Sequence, residues 1–410
     1  MNRHSSRRRL RLVRALAGII AVAFVFGPGV AGVLGAREKP IENRALAPAP
    51  RVDDGFGAAD AVTPWAIDRL PGRSKAIELK GLLDYYGYGD LPGTQVVQPV
   101  GAAGAGGAQP GPSRNDGASL RPKVVRGKDG YLFYGLDFTS ACRGASRFQG
   151  AVEGVRDLAR IVARSGRKVV FTVVPNKSSV VTDALPRAVP RGSCAKDGIS
   201  REIDVLDDFS DPLWVPLRAE LAALDRSGKD AYWRTDTHWT TLGASVWVNA
   251  LVERLDPDLA SRPTFDPARE TLVGDLTSLL GLRFAETPDS VRTATDATVT
   301  DTRLPGFDPA KGEQQTSAWT TSPDTGIIGG RTVFVGDSFT RRMLPLVRPL
   351  VADGTFAWIG STPDDEVVTH IAAADTVVIE VVQRNLLTGE SLLTKKSFQR
   401  KVARALGVTP

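Results

Sequence analysis

The pattern of apolar and polar positions changes several times along the chain. No charged residue occurs between Ala15 and Ala36. At about 1.5 Å per residue, that stretch is long enough to cross a hydrocarbon core of about 30 Å. Residues 37–63, with Pro40, Pro48 and Pro50, predict an extended tether. Residues 64–88 predict an amphipathic stretch through Trp65, Ile67, Leu70, Ile77, Leu79, Leu82 and Leu83. Residues 89–122 are rich in Gly, Ala and Pro and cannot bury enough surface to offset their ordering entropy, which predicts a disordered loop. At residues 127–135 (GKDGYLFYG) a turn signal leads into a strand.

From residue 150 onward, helical and strand periods alternate. Val152, Val155, Leu158, Ile161 and Val162 share one helical face, and Gly166 ends it. The run at 169–175 (VVFTVVP) is continuously apolar, as in a strand buried on both faces. Asp211-Pro212 predicts a helix start, and Gly243–Leu255 has helical spacing. Further strands are predicted within 331–339 (RTVFVGDSF), 355–359 and 376–382, with helices between. Residues 285–330, rich in Thr, Asp and Pro, predict an irregular or β-rich insertion. The alternation predicts an α/β domain with a mainly parallel sheet covered on both faces. Functional loops in such sheets follow the carboxyl ends of the strands. The resulting division is a basic tail at 1–14, an apolar segment at 15–36, a tether at 37–63 and a domain at 64–410.

Charge sharpens the N-terminal reading. Six arginines before residue 15 equal the whole net charge of +6. The remainder has no cationic surplus for displacing phosphate counterions, so no nucleic-acid partner is expected. Arginines ahead of an apolar segment stay cytoplasmic. Residues 15–36 therefore read as a single-pass signal anchor in the cell membrane, with cleavage near Ala36 as the alternative. Either way the body is extracytoplasmic. Export makes a disulfide between Cys142 and Cys194 chemically possible, the alternative being two buried thiols. Neither cysteine has the spacing of a metal site, and no metal is expected.

Only three histidines occur: His4, His238 and His370. His4 lies in the basic tail, and His370 in a predicted helix (DDEVVTHIAAAD). His238 is left as the candidate catalytic imidazole, within Asp236-Thr237-His238-Trp239-Thr240. A second constellation, Gly336-Asp337-Ser338-Phe339, follows an apolar strand and precedes a helix. A serine there can present its hydroxyl at the sheet edge, with helix-start amides facing an oxyanion. Serine needs a base to become nucleophilic, and an imidazole fixed by a carboxylate supplies one. Asp236, His238 and Ser338 are the set required. The bland alternatives are an ordinary Gly-Asp-Ser turn, a capping Asp236 and a satisfied buried His238. Trp239 reads equally as a pocket wall or as core.

DTHWT (236–240) followed by GDSF (336–339) resembles the AlgJ/AlgX group of alginate O-acetyltransferases in the SGNH hydrolase superfamily. ENRALAP (42–48), DRLPGR (68–73), GKDGYLF (127–133), VPNKS (174–178), GDL (274–276) and VVIEVVQRNL (377–386) are similar and occur in matching order. The resemblance implies a flavodoxin-like α/β/α fold of the SGNH-hydrolase type. It also implies an exported location and acetyl transfer to polysaccharide hydroxyls, with Asp236, His238 and Ser338 as the triad. A membrane acyltransferase that supplies acetyl groups is the implied partner, and no cofactor is expected. Lys177, Arg384, Asp337 and Trp239 are candidate substrate contacts, with a Glu380–Arg384 ion pair as the structural alternative. The loop at 89–122 and the insertion depart from the group's pattern, so the acceptor polymer is not carried over. A carbohydrate acetylesterase with the same triad and a non-catalytic glycan-binding scaffold are the rival readings.

Overall fold

The computed structural model describes residue 65 and residues 73–83, 124–258, 263–302, 316–323, 327–359, 362–387 and 391–409. The tail, the apolar segment at 15–36, the tether and the loop at 89–122 lie outside the described residues. Among the described residues, no helix is long and apolar enough to cross a membrane.

The chain divides into two units. The first comprises residues 1–92 and 278–283 and holds helix α1 (Arg73–Leu82) within the predicted amphipathic stretch. The second comprises residues 93–277 and 284–410. It opens with the antiparallel pair β1 (Val124–Arg126) and β2 (Leu132–Tyr134), then α2 (Gly135–Ala141) and α3 (Ala145–Ala163). Strand β3 (Lys168–Val174) follows, then α4 (Lys177–Val180), α5 (Ser193–Asp208), α6 (Arg218–Arg226) and α7 (Thr241–Leu255). Next come β4 (Phe265–Arg269), β5 (Leu272–Val273), α8 (Asp275–Leu279), β6 (Ala285–Glu286), β7 (Asp289–Thr293), β8 (Thr298–Thr302) and β9 (Thr316–Ser322). The last part is β10 (Ile328–Gly336), α9 (Ser338–Val347), β11 (Val351–Trp358), α10 (Asp364–Ala373), β12 (Thr376–Val382), α11 (Gln383–Leu387) and α12 (Lys396–Leu406).

The main sheet has the order β3-β12-β10-β11-β9-β8. Its first four strands are parallel, while β9 runs antiparallel to β11 and β8 to β9. The continuous apolar runs in the sequence follow from burial on both faces. Phe334 and Val378 enter one core cluster with Trp247 and Met343 of the helices α7 and α9. Val333, Val335, Val377 and Ile379 enter the other, with Leu158 of α3, Ile371 of α10 and Phe398 of α12. Each such side chain contributes about 1.5–3 kcal/mol on leaving water. The result is the expected three-layer α/β/α arrangement.

Two expectations need correction. No helix starts at Asp211-Pro212. Residues 213–215 instead run beside the outer strand β3, with Phe171 N–H donating to Leu213 O and Val215 N–H to Phe171 O, both 2.9 Å. These bonds satisfy an otherwise open edge, and helix α6 waits until Arg218. The segment 285–330 is β-rich, as one expected form had it, but it is not a separate insertion, because β9 and β8 widen the main sheet.

Cys142 and Cys194 form a disulfide, with Cα atoms 5.4 Å apart, joining the end of α2 to the start of α5.

Candidate active site

The DTHWT segment lies in a tight loop between Ala231 and α7. Its ends are drawn together by a bridge between Tyr232 and Trp239, with Thr240 N–H donating to Ala231 O at 3.1 Å. Thr240 then caps α7 by accepting from Gly243 N–H. Lys177 fixes the loop from below. Its buried ammonium donates to the carbonyls of Leu132 (2.5 Å), Trp233 (2.9 Å) and Arg234 (3.2 Å). Burial lowers the Lys177 ammonium to about 8, against the raising effect of Asp275, Asp236, Glu286 and Asp137.

The three candidate residues meet above the carboxyl end of β10. His238 Nε2 lies 2.8 Å from Ser338 Oγ, and His238 Nδ1 lies 2.7 Å from Asp236 Oδ1. Asp236 Oδ1 also accepts from the His238 amide at 3.0 Å. Its Oδ2 accepts from the Asp275 amide at 2.9 Å and lies 3.6 Å from the Arg342 guanidinium. Burial alone would raise the Asp236 carboxyl. The His238 hydrogen bond and charge, with Arg342, overcome it and hold Asp236 well below its usual range. It therefore stays an anion that can fix the imidazole tautomer. Thr237 donates its amide and hydroxyl to the Asp275 carboxylate, at 2.8 and 2.6 Å. Asp236 is buried, whereas His238 and Ser338 are half-buried and keep a path to solvent.

Ser338 is the first residue of α9, and Asp337 is its N-cap. Asp337 Oδ1 accepts from Phe339 N–H at 3.0 Å. Its Oδ2 accepts from Val382 N–H and Asn385 Nδ2, both at 2.9 Å. Phe339 packs its ring 4.7 Å from the His238 ring and edge-on to Trp239.

The candidate substrate contacts separate on inspection. Lys177 and Trp239 are fully buried, the first occupied with carbonyls and the second packed against Trp247 and Phe339. Both residues are 1% exposed. Asp337 is committed to capping the turn that carries Ser338. Arg384 is buried over the rings of Phe339 and Tyr134, and lies 3.9 Å from Asp137. The expected Glu380–Arg384 pair is replaced by Arg384–Asp137, because Glu380 turns instead toward Asp337 and Thr340. Asp275 and Arg342 escaped the sequence reading. Asp275 stood in the Gly274-Asp275-Leu276 triplet, and Arg342 sits four residues after Ser338, on the same helical face.

Asp236, His238 and Asp275 bring ligand-type atoms within 4.8 Å of one another. Both His238 ring nitrogens, however, point at protein partners at hydrogen-bond distance. The arrangement suits proton transfer between Ser338 and His238, with Asp236 orienting the ring.

The chain is similar to known proteins. The family described as SGNH hydrolase-like domain, acetyltransferase AlgX, matches residues 124–343. The probable alginate O-acetylase AlgJ of Pseudomonas aeruginosa is 30% identical over 178 residues, covering 40% of this chain and 42% of the relative. That of Pseudomonas putida is 28% identical over 133 residues, covering 32% and 34%. The chain thus spans about two fifths or less of the length of these curated relatives. The solved O-acetyltransferase domain of Pseudomonas putida AlgJ aligns over 69% of this chain and 99% of that domain, at 20% identity and a TM-score of 0.42.

Proposed function

Since the chain belongs to the SGNH hydrolase-like, AlgX-type acetyltransferase family, we propose that it is an O-acetyltransferase acting on polysaccharide hydroxyls. The observation that carries this reading is His238 standing between Ser338 and Asp236 at 2.8 and 2.7 Å.

In the proposed cycle, Ser338 Oγ attacks the carbonyl carbon of an acetyl donor while its proton passes to His238 Nε2. The bond from the acyl carbon to the donor's leaving atom breaks, and that atom takes the proton from His238. A sugar hydroxyl then gives its proton to His238 and attacks the acetyl-serine. The Ser338 Oγ–acyl bond breaks, the proton returns to Ser338, and the acetylated sugar leaves. Asp236 stays ionised throughout and stabilises the transient imidazolium. The Ser338 amide, at the start of α9, faces the developing oxyanion, a contact worth about 3 kcal/mol in comparable sites.

The apolar segment at 15–36 supports a signal anchor with the catalytic unit extracytoplasmic, and the family likeness alone supports a membrane acyltransferase as the source of acetyl groups. The relatives named as probable alginate O-acetylases support a polysaccharide acceptor. Product analysis with an activated acetyl ester and a panel of glycans tests the reading. Acetyl esters on a glycan, absent with Ser338→Ala, support transfer. Acetate as the sole product across the panel contradicts it in favour of hydrolysis.

A further inference from the structure

Five consecutive amides surround the nucleophile, from Asp337 to Arg341. Four have acceptors. Asp337 N–H and Thr340 N–H both donate to Glu380 Oε2, at 3.1 and 3.2 Å. Phe339 N–H donates to Asp337 Oδ1 at 3.0 Å, and Arg341 N–H to Asp337 O at 3.2 Å. Among the described residues, none accepts from Ser338 N–H. Glu380 thus grips the turn on both sides of the serine from β12, the neighbouring strand. Thr340 Oγ1 adds a third bond to the same oxygen at 2.7 Å.

We propose that Glu380 is a positioning residue which, together with Asp337, takes up the competing amides of this turn and leaves the Ser338 N–H as the oxyanion donor. The proposal rests on the acetyl-serine reading above. It accounts for a carboxyl group with 0% exposure in the middle of a sheet, an environment that is costly for an unpaired charge. Glu380 Oε1 is buried, and no described residue donates to it. Burial and the neighbouring Asp337 charge raise Glu380 well above the ordinary carboxylate range. All three incoming bonds fall on Oε2. Glutamine has the same shape and keeps an acceptor oxygen for those bonds.

The test measures acylation of the full chain by p-nitrophenyl acetate in the pre-steady state, beside thermal melting. Glu380→Gln should acylate within about threefold of the native rate. Glu380→Ala should be slower by about 100-fold, as when an oxyanion donor is lost, with KM little changed. Thr340→Val, which removes one of the three bonds, should slow acylation by about fivefold. Native-rate acylation by folded Glu380→Ala would overturn the proposal, and so would Glu380→Gln as slow as Glu380→Ala. Where Glu380→Ala does not fold, an unchanged rate in Thr340→Val overturns it. Ser338→Ala separates the two levels. If that variant still acylates, the acetyl-serine reading itself is wrong. If it is inert while the Glu380 and Thr340 variants behave as native, only the role of Glu380 is wrong.

Discussion

The backbone N–H of Asp275 donates to Asp236 Oδ2 at 2.9 Å, tying the carboxylate that holds the His238 ring to the start of a helix 39 residues away. The Asp275 side chain meanwhile holds Thr237, between Asp236 and His238. The DTHWT loop is therefore clamped from outside as well as by its own cross-loop bonds.

Asp275→Ala keeps the amide but removes both bonds to Thr237. Each such bond is worth about 1 kcal/mol net. Turnover should fall by about tenfold, with the fold intact by circular dichroism. Ser338→Ala and His238→Ala should each abolish nearly all turnover, and the double variant should lose little more, because triad members act as a unit.

Glu202 is buried beside Gln383, whose amide donates to it. Burial raises its carboxyl to about 8, against the lowering effect of that hydrogen bond. The unfolded chain loses this proton near the ordinary carboxylate value, so the folded state binds more protons above it. The contribution of Glu202 to stability is complete below that ordinary value and is lost as pH rises toward about 8. Melting curves at pH 5 and pH 8.5 check this. Glu202→Gln should melt above the native protein at pH 8.5, and the gap should narrow at pH 5.

Gly336 ends β10 where a Cβ would collide with Thr340 Oγ1 and approach Glu380 Oε2. Gly336→Ala must push Thr340 and Glu380 off the turn that carries Ser338. Overpacking of this kind costs about 1–3 kcal/mol. Chemical denaturation should show that loss, and acylation should fall more steeply than stability.

The disulfide joins residues 52 positions apart. A loop of that length contributes roughly 4 kcal/mol by restricting the unfolded chain. Cys142→Ser paired with Cys194→Ser should melt several degrees lower, and reductant should shift the native protein to the same value.

Much of the fold was legible because strands buried on both faces read as unbroken apolar runs, as at 169–175 and 376–382. His238 was legible by elimination among three histidines, and its pairing with Ser338 was implied by the resemblance that DTHWT and GDSF carry. The direction of side chains was not. Lys177 and Trp239 follow strand-like runs just as a substrate contact would, yet each turns inward. Glu380 reads as an ion-pair partner for Arg384. In the fold it lies on β12 and bonds the Ser338 turn, while Arg384, on the following helix, lies beside Asp137. Strands β8 and β9 were obscured because their Thr-rich alternation marks a half-exposed sheet edge, which differs little from a polar loop. The cover over β3 at 213–215 depends on an edge that no local pattern reveals.

The central claim is that Ser338 carries the acetyl group. Intact-protein mass spectrometry after brief exposure to an activated acetyl ester, with acid quenching and peptide mapping, tests it most directly. The account predicts one added acetyl group on Ser338, absent in Ser338→Ala and lost on adding a glycan acceptor. Native protein that turns over the ester while no acetyl group reaches Ser338 at any quench time would contradict it.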